Sequence, residues 1–294
     1  MRRSFSLRGL LLVFAALGAM VQVNAAEQPL QLDVFNPGAD ALFPVSSVIV
    51  SGKHDAILID AQFGKGQAEQ VLARLRASGK RLTTIYISHG DPDYYFGLQT
   101  LADAYPHARV VASAATVAHI KQTMDAKLVY WGPQMGADKP VRLVVPNALE
   151  GNRLVLEGQT LEVVGLDGPQ PDRSFVWIPS IKAIVGGVVV AQNIHVWMAD
   201  TQTAQSHSDW LATLERIEQL KPQVVVPGHY LGHPGESLEA VHFTAGYIRA
   251  FDEETAKAGN AAALIAAMHN RYPDLGEASS LELSAKVAKG EMKW

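Results

Sequence analysis

The sequence predicts a layered α/β sandwich. Three observations carry that reading. Short apolar runs alternate with helix-length segments between residues 48 and 125. From Val141 to Val190 the pattern is a succession of strands separated by turn residues. Helix and strand patterning then returns from Ser208 onward.

The elements follow in order. Residues 48–52 and 56–60 are apolar runs flanking Lys53-His54-Asp55, which reads as a hairpin of two buried strands. Val71, Leu72 and Leu75 stand at helical spacing and Gly79 closes the segment, predicting a capped helix over 65–78. Leu82 to Ser88 is a strand running into a polar loop. Gly97 to Ala104 is helical, Arg109-Val110-Val111-Ala112 is a short strand, and 114–125 is a helix. Five strands are expected next, at Leu143–Val145, Arg153–Leu156, Leu161–Val164, Phe175–Ile178 and Ile184–Val190. Ser208 to Leu220 is an amphipathic helix, with Ser206 or Ser208 as its cap beside His207. Val224–Val226 is a buried strand that ends at Pro227-Gly228-His229. From about Glu236 the chain is largely helical, with Leu238, Val241, Ala245, Ile248 and Phe251 on one face.

Composition excludes several function classes. The 294 residues are 48 % hydrophobic, enough to bury a large core. The absence of cysteine removes disulfide scaffolds, thiolate metal sites and thiol nucleophiles. With 25 basic against 29 acidic residues, nothing suggests a nucleic-acid partner. Arg2, Arg3 and Arg8 precede an apolar run from Leu10 to Val23 and a small-residue site ending at Ala25, the layout of a secretory signal. Residues 1–25 are therefore expected to be a signal peptide, and 26–294 one exported domain, periplasmic or secreted. That domain carries 22 basic and 29 acidic residues, net −7, and no membrane span.

The sharpest chemical feature is Ile87-Ser88-His89-Gly90-Asp91-Pro92-Asp93-Tyr94, directly after an apolar strand. One imidazole and two carboxylates at alternate positions of a tight loop can converge on a cation, although Asp, Pro and Gly are also ordinary turn residues. His229, at the end of a strand, is a second candidate ligand or base.

Leu58-Ile59-Asp60, the run from Ser88 to Tyr94, and Val226-Pro227-Gly228-His229 together resemble the metallo-β-lactamase superfamily. Trp177 to Gly187 and Asn193-Ile194-His195-Val196-Trp197 are similar to an exported hydrolase branch of it. The resemblance spans about residues 30–245. It implies a four-layer αβ/βα sandwich, here with a helical C-terminal extension, and a site at one edge between the sheets, usually holding two zinc ions that activate a water. Carried over position by position, His89, Asp93 and His229 are retained. Asp91 and Tyr94 replace histidines, Pro169 falls at the mid-chain histidine, and Val188 falls at the bridging aspartate. Asp60 supports the site rather than binding an ion.

These departures set the expected chemistry. Catalytic zinc takes three protein ligands and a water. Without the bridging carboxylate, the resemblance implies at most one divalent ion, held by His89, Asp91, Asp93 and His229. That ion would be zinc, with manganese or iron as alternatives. The expected function is metal-assisted hydrolysis of an ester, lactone, thioester or amide in a small molecule. Asp93 would orient the water or take its proton, and Tyr94 would donate to an oxyanion, coordinate, or merely pack. The alternative is a metal-free member of the fold that binds a small ligand or a protein. Trp197 is a candidate substrate-facing wall, and His195 either reaches the pocket rim or packs. The helical tail caps the pocket or supports a homodimer.

Overall fold

Alternate residues of the central strands face two different hydrophobic cores, and that alternation sets the layering. The structure, a computed structural model, describes residues 28–294, so the signal segment 1–25 lies outside the described residues. Strands β1 (Gln31–Phe35), β2 (Ser47–Ser51) and β3 (Asp55–Ile59) form an antiparallel meander. Helix α1 (Lys65–Ser78) leads to β4 (Arg81–Ile87). Helices α2 (Pro92–Tyr95) and α3 (Leu98–Ala104) lead to β5 (Arg109–Ala112), and α4 (Ala114–Met135) leads to β6 (Asn147–Ala148). β3, β4, β5 and β6 are parallel, completing a six-stranded sheet in sequence order.

The second sheet has the order β12-β10-β9-β8-β7, from β7 (Arg153–Leu156), β8 (Gln159–Val164), β9 (Phe175–Ile178), β10 (Ala183–Val185) and β12 (Val224–Val225). A small parallel pair, β11 (Ala191–Gln192) with β13 (His229–Tyr230), lies apart from it. The remaining helices are α5 (Ala204–Leu220), α6 (Glu239–Lys257), α7 (Ala261–Arg271) and α8 (Ala278–Ala288).

In β3, Ala56 and Leu58 pack with Val71 and Leu75 of α1, Leu101 of α3 and Ile120 of α4. Ile57 and Ile59 turn the other way, onto Val176, Ile178 and Val185 of the second sheet. In β9 the inward residues are Val176 and Ile178, while Phe175 and Trp177 meet Trp210 and Leu214 of α5 and Val241 and Ile248 of α6. The result is helices, sheet, sheet, helices: the four-layer αβ/βα sandwich. Each such aliphatic side chain taken out of water contributes about 1.5–3 kcal/mol. Among the described residues no helix is long and apolar enough to cross a membrane.

The structure corrects four local expectations. Helix α4 runs on to Met135, through Pro133, because Trp131 anchors its last turns edge-to-face against Phe43 and Phe63. Leu143–Val145 is not a strand: Pro146 removes a donor, and pairing with β5 begins only at Asn147. The strand expected over Ile184–Val190 ends at Val185, where Gly186 and Gly187 take φ of +68° and +81°, and β11 resumes at Ala191. Helix α5 begins at Ala204, capped by Thr203, whose side chain accepts from the Ser206 N–H.

Candidate active site

The ends of neighbouring parallel strands deliver the site, the usual location in open α/β sheets. Asp60 follows β3, and the Ser88–Asp91 loop follows β4. Asp60 is fully buried with φ +64°, a conformation that aspartate tolerates better than most residues. Its Oδ1 accepts the Ser88 N–H at 2.7 Å and its Oδ2 accepts the Ser88 hydroxyl at 2.6 Å. The Ser88 oxygen in turn accepts the Gly187 N–H at 2.7 Å, so one aspartate ties the loop after β4 to the crossing after β10. Burial raises the Asp60 carboxyl to about 7, against the hydrogen bonds from Ser88.

Gly187 and Gly228 are there because the backbones nearly touch. A Cβ on Gly187 would stand 2.3 Å from the Ser174 carbonyl oxygen. One on Gly228 would stand 2.1 Å from the Gly187 carbonyl oxygen and 2.7 Å from the Tyr94 hydroxyl. That approach brings His229, in β13, up to the short helix carrying Asp93 and Tyr94.

The four expected metal donors form two pairs. His89 Nδ1 lies 3.0 Å from the Asp172 carbonyl oxygen and its Nε2 lies 3.1 Å from Asp91 Oδ2. Both neighbours only accept, so both ring nitrogens donate and the ring is an imidazolium. Burial works against that charge, but Asp91 outweighs it and the His89 pKa is raised. Asp91 is held far below the ordinary carboxylate range: burial would lift it, and His89 and Lys127 prevail. Its other oxygen accepts from the Lys127 ammonium at 3.2 Å. In the second pair His229 Nε2 donates to Asp93 Oδ2 at 2.6 Å, and Nδ1 faces the Tyr94 hydroxyl at 3.2 Å. Tyr94 is fully buried, and burial followed by the charge of Asp93 keeps its phenol protonated.

These residues do not fit a divalent ion. The four donors stand as two separate pairs rather than around one centre, both Asp91 oxygens are bonded, and the Lys127 ammonium stands beside them where a divalent cation would be repelled. Among the described residues no three His, Asp or Glu side chains gather as a ligand set. Val188 lines the adjacent cleft, where the resemblance places a bridging carboxylate. The loop containing Pro169 contributes the Asp172 carbonyl instead, followed by Arg173. That guanidinium is buried, stacks 4.2 Å from the Trp210 ring, and leaves Nε and Nη2 without partners among the described residues.

Asp91, Asp93, Lys127 and His229 open on a cleft between the two halves. Its walls are aromatic and aliphatic: Phe43, Trp131, Ile194, Val196, Trp197 and Trp294. The Trp197 and Trp294 indoles both donate to Asp200 at the rim, at 2.7 and 2.6 Å. His195 also lines this cleft. Its Nδ1 meets the Tyr247 hydroxyl at 3.1 Å, and burial lowers its pKa to about 4.

Lys127 was not apparent as a site residue from the sequence, nor were Arg173, Trp131, Trp294 and Glu277. His119, which no motif in the sequence singles out, lies 4.0 Å from Asp91 and 3.8 Å from Asp172. A signal existed: residues 119 and 127 are spaced to share one face of α4, and a Cβ on Gly90 would strike the His119 ring at 2.6 Å.

The fold and site define a four-layer αβ/βα sandwich of the hydrolase type, with loop-borne acids and imidazoles at the mouth between its sheets. The chain belongs to the metallo-beta-lactamase superfamily, whose family profile matches residues 40–229. Among solved structures it is similar to the DIM-1 metallo-beta-lactamase, at 20 % identity and a TM-score of 0.55 over 76 % of this chain and 98 % of that one. It is also similar to the metallo-beta-lactamase FIM-1 from Pseudomonas aeruginosa in its mono-zinc form, at 17 % identity and a TM-score of 0.53 over 76 % and 96 %. At such identities the likeness is one of fold. An atrochrysone carboxyl ACP thioesterase of Aspergillus fumigatus is 23 % identical over 195 residues, 66 % of this chain. The uncharacterized protein YobT of Bacillus subtilis is 36 % identical over 73 residues, 25 % of this chain. The chain spans 53 % of the first protein's length and 31 % of the second's.

Proposed function

We propose that the chain is an exported hydrolase that cleaves an acyl bond in a small molecule with its own side chains and no divalent ion. The observation that carries this is the Asp93–His229 pair opening on a cleft with apolar walls. The bond is an ester, lactone, thioester or amide. A relative named as a thioesterase supports placing thioesters in that class. Asp93 Oδ2 is engaged by His229, so its other oxygen is the one offered to water. Tyr94, sealed in the core, positions the His229 ring from behind. Asp93 takes a proton from water as the water oxygen bonds to the acyl carbon, then returns it to the departing alkoxide, thiolate or amine. The basic, apolar N-terminus ending at Ala25 supports export.

Mature protein treated with EDTA and assayed on p-nitrophenyl butyrate and on a butyryl thioester tests this. Turnover should survive chelation and fall by about 10²–10⁴ in Asp93→Asn. Turnover that appears only with added zinc would restore the one-ion reading. Saturable binding of the esters without turnover would make the chain a ligand-binding protein.

A further inference from the structure

Among the described residues that line the cleft, which include Asp91 and Asp93, Lys127 is the only Lys or Arg. It reaches in from α4, its side chain is 17 % exposed, and it lines the cleft. One donor direction is spent on Asp91 Oδ1 at 3.2 Å, and the Trp294 ring lies 5.1 Å from Nζ. An ammonium has three donors, so capacity remains for a molecule in the cleft. Asp91 cannot drift, because its second oxygen is held by His89 and His89 is held by the Asp172 carbonyl. The chain from backbone to imidazolium to carboxylate to ammonium fixes the Lys127 charge in position. Burial opposes that charge, but Asp91, Asp200 and Asp93 outweigh it, and the pKa is raised.

We infer that Lys127 is a catalytic residue that holds the acyl oxygen of the substrate and meets the negative charge developing there. The inference rests on the hydrolase reading and names the group that does electrostatically what a metal ion does elsewhere. As water adds, its oxygen bonds to the acyl carbon, the carbonyl π pair moves onto the acyl oxygen beside the ammonium, and the water proton goes to Asp93. Collapse returns that pair, breaks the bond to the leaving group, and Asp93 hands the proton on. A preorganised donor in a water-poor cleft is effective because it needs no reorganisation as charge appears.

The test combines turnover with binding of a tetrahedral anion. Lys127→Met keeps an unbranched side chain one atom shorter and removes the charge; Lys127→Arg keeps the charge. With p-nitrophenyl butyrate, kcat should fall by about 10²–10³ in Lys127→Met with KM little changed, and recover in part in Lys127→Arg. Calorimetric titration with propylphosphonate, an anion shaped like the intermediate, should show binding to wild type and to Asp93→Asn, weakened at least about tenfold in Lys127→Met, a loss of about 1.4 kcal/mol. Wild-type turnover left intact in a folded Lys127→Met overturns the inference and spares the hydrolase reading. Lys127-dependent phosphonate binding without any ester turnover removes the hydrolase reading and leaves Lys127 as an anion-holding residue. Equal phosphonate binding by wild type and Lys127→Met overturns the inference by itself.

Discussion

Replacing Asp60 by asparagine should flatten the dependence of stability on pH. In the folded protein burial raises this carboxyl to about 7, roughly three pH units above a free aspartate. The folded state therefore binds a proton more readily than the unfolded state. From pH about 4 up to about 7 the unfolded chain gives up the Asp60 proton while the folded chain keeps it, so stability falls as pH rises. At about 1.4 kcal/mol per pH unit, the full effect is on the order of 4 kcal/mol. Asparagine keeps the shape, accepts φ +64°, and can still accept the Ser88 N–H through its oxygen. Its amide would donate to Ser88 Oγ, which already accepts from Gly187, and the serine hydroxyl proton then loses its acceptor, at a cost of about 1–3 kcal/mol. Urea unfolding of wild type and Asp60→Asn at pH 5, 6, 7 and 8 gives the comparison. The variant should be the less stable at pH 5, and the gap should close or reverse by pH 8. Parallel curves, with the same slope against pH in both proteins, would refute the reasoning.

Three further outcomes are expected. Gly187→Ala places a Cβ 2.3 Å from the Ser174 carbonyl oxygen on a backbone with φ +81°, and should cost about 3 kcal/mol or more in chemical denaturation. Asp91→Asn leaves His89 and Lys127 without their shared anion and should cost about 3–5 kcal/mol. Joined to Lys127→Met it should cost less than the two single changes added, which a double-mutant cycle measures. Thermal melting should not shift on adding EDTA, and micromolar zinc should not raise the midpoint, because the site residues satisfy one another.

Much of the fold was legible because local rules and tertiary packing agreed. Gly79 closes α1 where the sequence places the cap, and β7 and β9 begin and end at the expected residues. Agreement failed where a distant partner decided the outcome. The stop in β10 follows from Gly187 serving Ser88, a contact spanning 99 residues, and the length of α4 follows from Trp131 meeting Phe43 and Phe63. The candidate site divides the same way. His89, Asp91, Asp93 and His229 stood out by motif, and the fold brings them into two pairs, His89 with Asp91 and Asp93 with His229. How they pair did not stand out, since it depends on Lys127 arriving from a helix surface and Asp172 from an irregular loop. A motif names the side chains at a site; what neutralises them comes from elsewhere in the fold.

The aromatic walls have one more consequence. Trp131, Trp197, Trp210 and Trp294 border the cleft, and of the five tryptophans in the chain only Trp177 lies away from it. Indole emission responds strongly to the polarity of its surroundings. Trp197 and Trp294, whose indoles meet at Asp200 on the rim, are the chromophores a guest entering the cleft would meet. Cleft occupancy can be read optically, with no label and before the reaction is known, and a compound library can be screened on the emission of the untreated chain.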